Sequence, residues 1–483
     1  MKKTETRVTA LVAALLLAGC ASYSGIEPQS TARSAESIGL PQQQAQTAPP
    51  VIAIAPDWWK QFNDPQLNAL VDRAVQGSPS LKVAQARLSK ANSVMEVARS
   101  ATLPQAQGSL EIQRQRFNEN GLYPPPLAGS VQDTGTLQVG ASWEIDFFGK
   151  YRQALEAALG ASRAAQADVD AARTLLAAQV ARGWFQLARL NDQLAVAQRT
   201  LAQREESHRL VADRVQAGLD TTLELRQSEG SLPDSRQQIE ALQEQVQLQR
   251  NALAALVGQP DLKIEPRSLA GLQALAVPDA IPADLLARRP DVTAARWRIE
   301  AATHDVASAK AQFYPNVNLS AFIGLSSIGL GNLLDSGSLT WGAGPAIHLP
   351  IFDAGRLRAN LRGKTADLDL AVESYNGAIL DAVRDVADQL ASARSITRQQ
   401  AEQRQAQQAA EGAYQIAVQR YQAGLGTYLN VLTAETSVLQ QRRLAVDLSA
   451  RALDTQVQLM RALGGGFQAD PESQRLASQT PNH

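Results

Sequence analysis

From Thr136 to Phe147 the chain alternates without a slip, with Leu137, Val139, Ala141, Trp143, Ile145 and Phe147 set against Thr136, Gln138, Gly140, Ser142, Glu144 and Asp146. A two-residue period places each set on its own face of a strand. The pattern recurs at Val317, Leu319, Ala321, Ile323 and Leu325, and again at Leu339, Trp341, Ala343, Ile347 and Leu349. A weaker strand lies near "SLEIQRQR", from Ser109. Strands of about ten residues with one apolar face and aromatics near their ends suit a membrane barrel. The same alternation suits a half-buried soluble sheet, and the strands alone leave both readings open. Four strands cannot close a barrel, because about eight is the smallest number found in membranes. If these strands enter lipid, several chains share one barrel.

Elsewhere the period is helical. No Pro occurs from Leu127 to Leu232 or from Ile351 to Asp470, and residues 151 to 215 and 357 to 421 are built mainly of Ala, Gln, Leu, Arg and acidic residues. These are good or tolerable helix formers. At 1.5 Å per residue each rod reaches on the order of 90 Å. Frequent Ala lets neighbouring rods approach closely. Pro233 stands where the second rod pair has Leu439, so the spacing predicts a bend or break there.

The chain is a duplicated unit. "PSLKVAQARLSKANSVMEVARSATLPQ" from Pro79 lies on "PDVTAARWRIEAATHDVASAKAQFYPN" from Pro290 at a constant shift of 211. "IDFFGK" at Ile145 then lies on "IFDAGR" at Ile351, and "RVQAGL" (Arg214 to Leu219) on "RYQAGL" (Arg420 to Leu425), at a shift of 206. The expected organisation is a first repeat over 57–262, with a strand pair in 105–148 and a long helical hairpin over 151–257, and a second repeat over 263–467, with strands in 316–351 and a hairpin over 357–463. The repeated phrase reads as the hairpin tip: Gly218 and Gly424 end one helix, and Thr221 with Glu224 forms a capping box that starts the next. The second copy keeps Thr427 but has Asn430 in place of the Glu.

The first residues give the compartment. Lys2, Lys3 and Arg7 precede "VTALVAALLLAG", too short to span a bilayer and laid out as a secretory signal over 1–19. The signal ends in "LAGC", which resembles a bacterial lipobox, in which Cys20 would carry diacylglycerol and a fatty acyl chain. Ala21 and Ser22 follow, and the absence of an Asp there points to the outer membrane. Residues 20–56, rich in Gln, Pro, Ser and Ala, read as a flexible tether, and 468–483 as a flexible tail. With one cysteine there is no intrachain disulfide. The net charge of -1 gives no reason to expect nucleic acid. The four His are scattered without metal-ligand spacing, and no phosphate loop or nucleophile elbow is present, so neither a cofactor nor enzymatic activity is expected.

"WWKQFNDPQLNALV" at Trp58, "SPSL" at Ser78, "WEIDFFGK" at Trp143, "QVARGWFQLA" at Gln179, "LLARRPDV" at Leu285, "AGR" at Ala354, "RDVADQL" at Arg384 and both "QAGL" tips resemble the TolC-type outer-membrane factors, in the lipoprotein branch that includes the NodT proteins. The resemblance runs from Trp58 to Gly466. It implies an α plus membrane-β fold in which a homotrimer builds a twelve-stranded outer-membrane barrel, continued by a helical tunnel across the periplasm. It implies passive export coupled to an inner-membrane pump, of resistance-nodulation (RND) or major-facilitator (MFS) type, through a periplasmic adaptor. Arg214, Gln216, Ala217, Gly218 and Leu219, with Arg420, Gln422, Ala423, Gly424 and Leu425, would meet that adaptor near the closed end. Relatives in drug efflux often carry an acidic and a basic residue just after the second tip, where this chain has Thr433 and Thr436. Arg226, Glu229, Arg420, Tyr421 and Glu435 are the substitutes that stand as gate candidates, solvated helix faces being the alternative. Asp381, Asp385 and Asp388 share one helical face and are lumen candidates, an exposed stripe being the alternative. Small-molecule efflux competes here with type I protein secretion, and both with a lipid-anchored coiled-coil scaffold that has no pore.

Overall fold

The structure is a computed structural model that describes residues 22–34, 37, 54–272 and 288–469. The signal, Cys20 and most of the tether and tail lie outside the described residues. Among the described residues seven α-helices and four strands follow in chain order: α1 (Pro65–Gly77), α2 (Pro79–Ser100), β1 (Gln105–Arg116), β2 (Val131–Ile145), α3 (Lys150–Gln216), α4 (Thr222–Val257), α5 (Pro290–Ala311), β3 (Asn316–Ile328), β4 (Leu339–His348), α6 (Arg356–Gln422) and α7 (Tyr428–Ala462). None of these helices is long and apolar enough to cross a membrane.

The rods α3 and α6 are each 67 residues long, about 100 Å at the helical rise. Small residues permit their packing. A Cβ on Gly160 would stand 3.2 Å from Ala301, so α5 lies close against α3. Of the bend or break expected at Pro233, the break does not occur: α4 runs as one helix from Thr222 to Val257. Proline removes one ladder donor, and the neighbouring rod supplies donors to the same turn: Arg204 Nη1 donates to the Ser231 carbonyl at 3.2 Å and to Ser235 Oγ at 3.0 Å.

The two repeats fold alike but are buried unequally. α5 lies between α3 and α6 and buries eleven of its 22 residues. α2, its copy, packs along α3 and buries Leu81 alone of 22. The strands form one antiparallel sheet in the order β1-β2-β3-β4, so β1 and β4 are open edges. Across it run apolar rows such as Leu110, Leu137, Leu325 and Leu339, or Ala106, Ala141, Ala321 and Ala343. The other face is mainly polar, with Ile328 at the end of β3 and Phe322 in its middle as departures that the two-residue period hides. Phe322 sits on that face with its ring against bare backbone, where a Cβ on Gly342 would fall 2.7 Å from the ring.

At mid-length the rods are gripped by the short elements. Trp58, Phe62, Leu67, Trp184, Phe185 and Val257 are among the buried residues of the main core. Asp64 organises it: Oδ1 caps α1 by accepting from the Gln66 and Leu67 amides at 2.9 and 3.2 Å, while Oδ2 accepts from Trp184 Nε1 at 3.0 Å. Gly464, Gly465 and Gly466 all have positive φ, and a Cβ on Gly466 would lie 2.3 Å from the Ala55 carbonyl oxygen. They are a tight turn under the N-terminal segment.

Residues 22–34, within the stretch expected to be a tether, lie along α6. Ile26 is buried in the second core. The amides of Gln29 and Ser30 donate to Asp369 at 2.8 and 2.9 Å, and that of Arg33 donates to Asn376 at 2.9 Å. This short strap is held mainly by backbone hydrogen bonds, which its polar composition does not reveal.

Candidate functional site: the hairpin tips

Both tips are built the same way. α3 and α6 end in glycines with φ of 76° and 73°, and the Leu219 and Leu425 amides reach back to the Arg214 and Arg420 carbonyls at 2.8 Å each. This is a Schellman closure, and glycine adopts the left-handed conformation it requires without a Cβ penalty. The helices that leave the tips start differently. Thr221 and Glu224 form the full capping box, whereas Thr427 makes no side-chain cap, as expected with Asn430 in place of the Glu. Gln216, Ala217, Gly218 and Leu219 are exposed, as are Arg420, Gln422, Ala423, Gly424 and Leu425, while Arg214 is half-buried.

Each tip displays two leucines to solvent. Leu219 and Leu223 are 65% and 61% exposed, and their copies Leu425 and Leu429 are 68% and 61% exposed. Leu223 and Leu429 were not singled out from the sequence, although the 206-residue shift relates them as it does the phrase itself.

Behind the tips a small apolar cluster joins the hairpins. Val211 from α3, Tyr421 from α6, and Tyr428 and Val431 from α7 are its buried members. Asp220 sits at its edge, in the first tip's turn. Arg214 Nε donates to Asp220 Oδ2 at 2.8 Å and Nη2 to Oδ1 at 3.4 Å. The Tyr421 hydroxyl of the second hairpin donates to the same Oδ2. The guanidinium of Arg214 also lies 4.7 Å from the centre of the Tyr421 ring. Burial pushes the Asp220 carboxyl up, but hydrogen bonds from Arg214 and Tyr421 outweigh it and hold the group below the usual carboxylate range. Burial and the Asp220 carboxylate push the Tyr421 phenol up. Burial raises Tyr428 to about 12.

Further along, Arg204 of α3 reaches Glu435 of α7 at 3.1 Å, and both side chains are largely buried. Of the gate candidates, Tyr421 and Glu435 therefore enter contacts between hairpins. Arg226 and Glu229 pair with each other at 2.8 Å on an exposed face, and Arg420 donates to the Leu425 carbonyl of its own turn at 3.2 Å. Asp220 and Arg204, the partners in these contacts, were not legible in advance: the polar face of a rod offers many such side chains, and only packing selects two. Thr433 and Thr436 turn their hydroxyls onto their own helix, to the Leu429 and Leu432 carbonyls, each at 2.9 Å.

The acidic stripe is not uniform. Asp385 is held by Arg289 at 3.3 Å and Arg461 at 3.2 Å, Asp381 pairs with Arg384 at 3.1 Å, and Asp388 is exposed. No group of acidic, His or Cys side chains suited to a metal ion occurs among the described residues.

A family model described as outer membrane efflux protein matches residues 70–259 and 281–465, one stretch within each repeat. The chain is 37% identical to the fusaric acid resistance protein FusA of Burkholderia cepacia over 75% of this chain and 70% of that one. It is 32% identical to the putative multidrug resistance outer membrane protein MdtQ of Escherichia coli over 94% of this chain and 96% of that one. Among solved structures, the outer membrane protein VceC of Vibrio cholerae superposes with a TM-score of 0.81 at 38% identity, covering 86% of this chain and all of that one.

Proposed function

We infer the function from one premise: the chain belongs to the outer membrane efflux protein family. It is the outer-membrane channel of a tripartite efflux system. Such channels are trimers in which a β-barrel in the outer membrane continues as a helical barrel into the periplasm, and they work with an adaptor and an inner-membrane pump. A scaffold without a pore does not fit this family.

Within that function, our reading is that Asp220 and Tyr421 form a clasp that holds the tunnel shut. The observation that carries it is the Asp220 carboxylate, which belongs to the first tip and accepts from the second hairpin, so the hairpins cannot part without breaking a charge-assisted bond. Such bonds contribute about 1.5 to 3 kcal/mol, enough to bias a resting state and small enough for a docked adaptor to overcome. The exposed leucine pairs are the surface the adaptor engages, where apolar side chains already in water lose nothing by docking. Cys20 carries the lipid anchor. The pump is of resistance-nodulation or major-facilitator type, and the cargo is drugs or other small toxic compounds.

The test is complementation in cells that keep adaptor and pump but lack this chain. Restored drug resistance supports the efflux reading. A folded, outer-membrane chain that restores no resistance with any such pump argues for another cargo.

A further inference from the structure

The repeat also specifies how neighbouring subunits join. The shift of 211 carries β1 onto β3 and the shift of 206 carries β2 onto β4. Together they carry the observed pair Gln105↔Ser142 onto the observed pair Asn316↔His348 without a residue of slip. The two shifts, found in the sequence, thus reproduce hydrogen-bond register in the sheet.

The joint between the repeats is β2 against β3, with Ser142 opposite Ser320 and Leu137 opposite Leu325. In a closed barrel the only other joint is the free edge of β4 against the free edge of β1 from the next chain. We propose that subunits join there in the register the repeat dictates, with His348 opposite Ser109 of the partner subunit, Ile347 opposite Leu110 of the partner subunit and Ala343 opposite Arg114 of the partner subunit. This rests on the trimeric-channel reading.

Three observations support the register. The pairs that follow, from His348 with Ser109 of the partner subunit to Trp341 with Arg116 of the partner subunit, fall wholly within the two strands. Faces match, since Ile347 meets Leu110 and Pro345 meets Ile112 on the apolar side, with Arg114 and Arg116 on that side only at the end of β1 next to the β1–β2 loop; a one-residue slip would put apolar side chains against the polar face. The helices tell the same story. Val83 and Val97 of α2 are 51% and 69% exposed, yet their copies Ala294 and Ser308 in α5 are 0% and 8% exposed between α3 and α6. Leu370 of α6 is 70% exposed where its copy Ala164 is 3% exposed, on the stripe of α3 that α5 covers. The α2 face of one subunit therefore covers the α6 face of the next, beside the strand joint.

Cysteine cross-linking of the full-length chain tests it, because Cys20 is the only native cysteine. Gly344 has no neighbour within 4 Å of an added Cβ, which suits substitution. The repeat sets Gly344 opposite Gln113 of the partner subunit. Gly344→Cys with Gln113→Cys, oxidised in membranes, is expected to shift the reducible band from monomer to trimer. Gly344→Cys with Gln115→Cys or with Glu111→Cys, two residues off on the same face, is expected to stay monomeric on the gel. A second in-register pair, Ala343→Cys with Arg114→Cys, guards against one poor thiol geometry. Trimers that cross-link only out of register, or native trimers that cross-link at neither in-register pair, overturn the register and leave the channel reading standing. A chain that is monomeric in native gels without oxidation overturns both.

Discussion

Tyr421, at the tip of the second hairpin, donates its hydroxyl to Asp220 in the turn of the first, 201 positions away in sequence. That bond, with Arg214 on the other side of the carboxylate, ties the turn of the first tip to the second hairpin, and the Arg204–Glu435 ion pair joins the two halves again further along. It makes the tips more than two similar turns.

Acid should release the clasp only in a low window. Asp220 sits below its ordinary value, so its stabilising contribution is complete above the unfolded carboxylate range near 3.9 and is lost as pH falls through the lower folded value. Tyr421 is raised, so its contribution is complete below the unfolded phenol value near 10 and is lost as pH rises through the folded one. Resting conductance should stay flat from about pH 5 to about pH 9. A rise near neutrality in bilayer recordings would assign the gate to another group.

The leucine pairs should matter for coupling and not for folding. Leu219→Glu with Leu425→Glu places charges on surfaces already 65% and 68% exposed, so thermal stability should move by less than about 0.5 kcal/mol. Drug resistance in complemented cells should fall to that of cells without the channel. Unchanged resistance would remove the leucines from the docking surface.

Asp64 should be a stability residue. Asp64→Ala removes the α1 cap and leaves the buried Trp184 Nε1 without its acceptor, a loss of about 2 to 4 kcal/mol. Trimer melting followed by circular dichroism reads it directly, and a change under about 0.5 kcal/mol would mean that another group takes over the acceptor role.

Much of this was legible because the signals are long. An uninterrupted Ala- and Gln-rich run permits little except a rod, and α3 and α6 begin and end within a residue or two of where the sequence puts them. Strict alternation likewise gave β2 its faces. Legibility failed where a few contacts outweigh composition. Residues 22–34 have the makeup of a tether, yet Asp369 and Asn376 capture their backbone amides. Pro233 has the mark of a break, yet α4 continues beside Arg204. At the tips the turn could be read from Gly218 and Gly424, but the clasp could not, because nothing in the phrase says that Asp220 of one copy will meet Tyr421 of the other. That pairing also departs from the repeat: the copy of Tyr421 is Val215, and the copy of Asp220 is Gly426. A duplicated architecture therefore carries an unduplicated contact at its tips.

The most direct measurement is single-channel conductance of the purified trimer in planar bilayers, for the wild type and for Asp220→Asn with Tyr421→Phe. Neither substitution alters volume appreciably, and both remove the charge-assisted bond between the hairpins. Rare, small openings in the wild type that become long and several-fold larger in the variant are the expected result. Identical small conductances, with the variant trimeric and folded, would contradict a tunnel held shut by Asp220 and Tyr421.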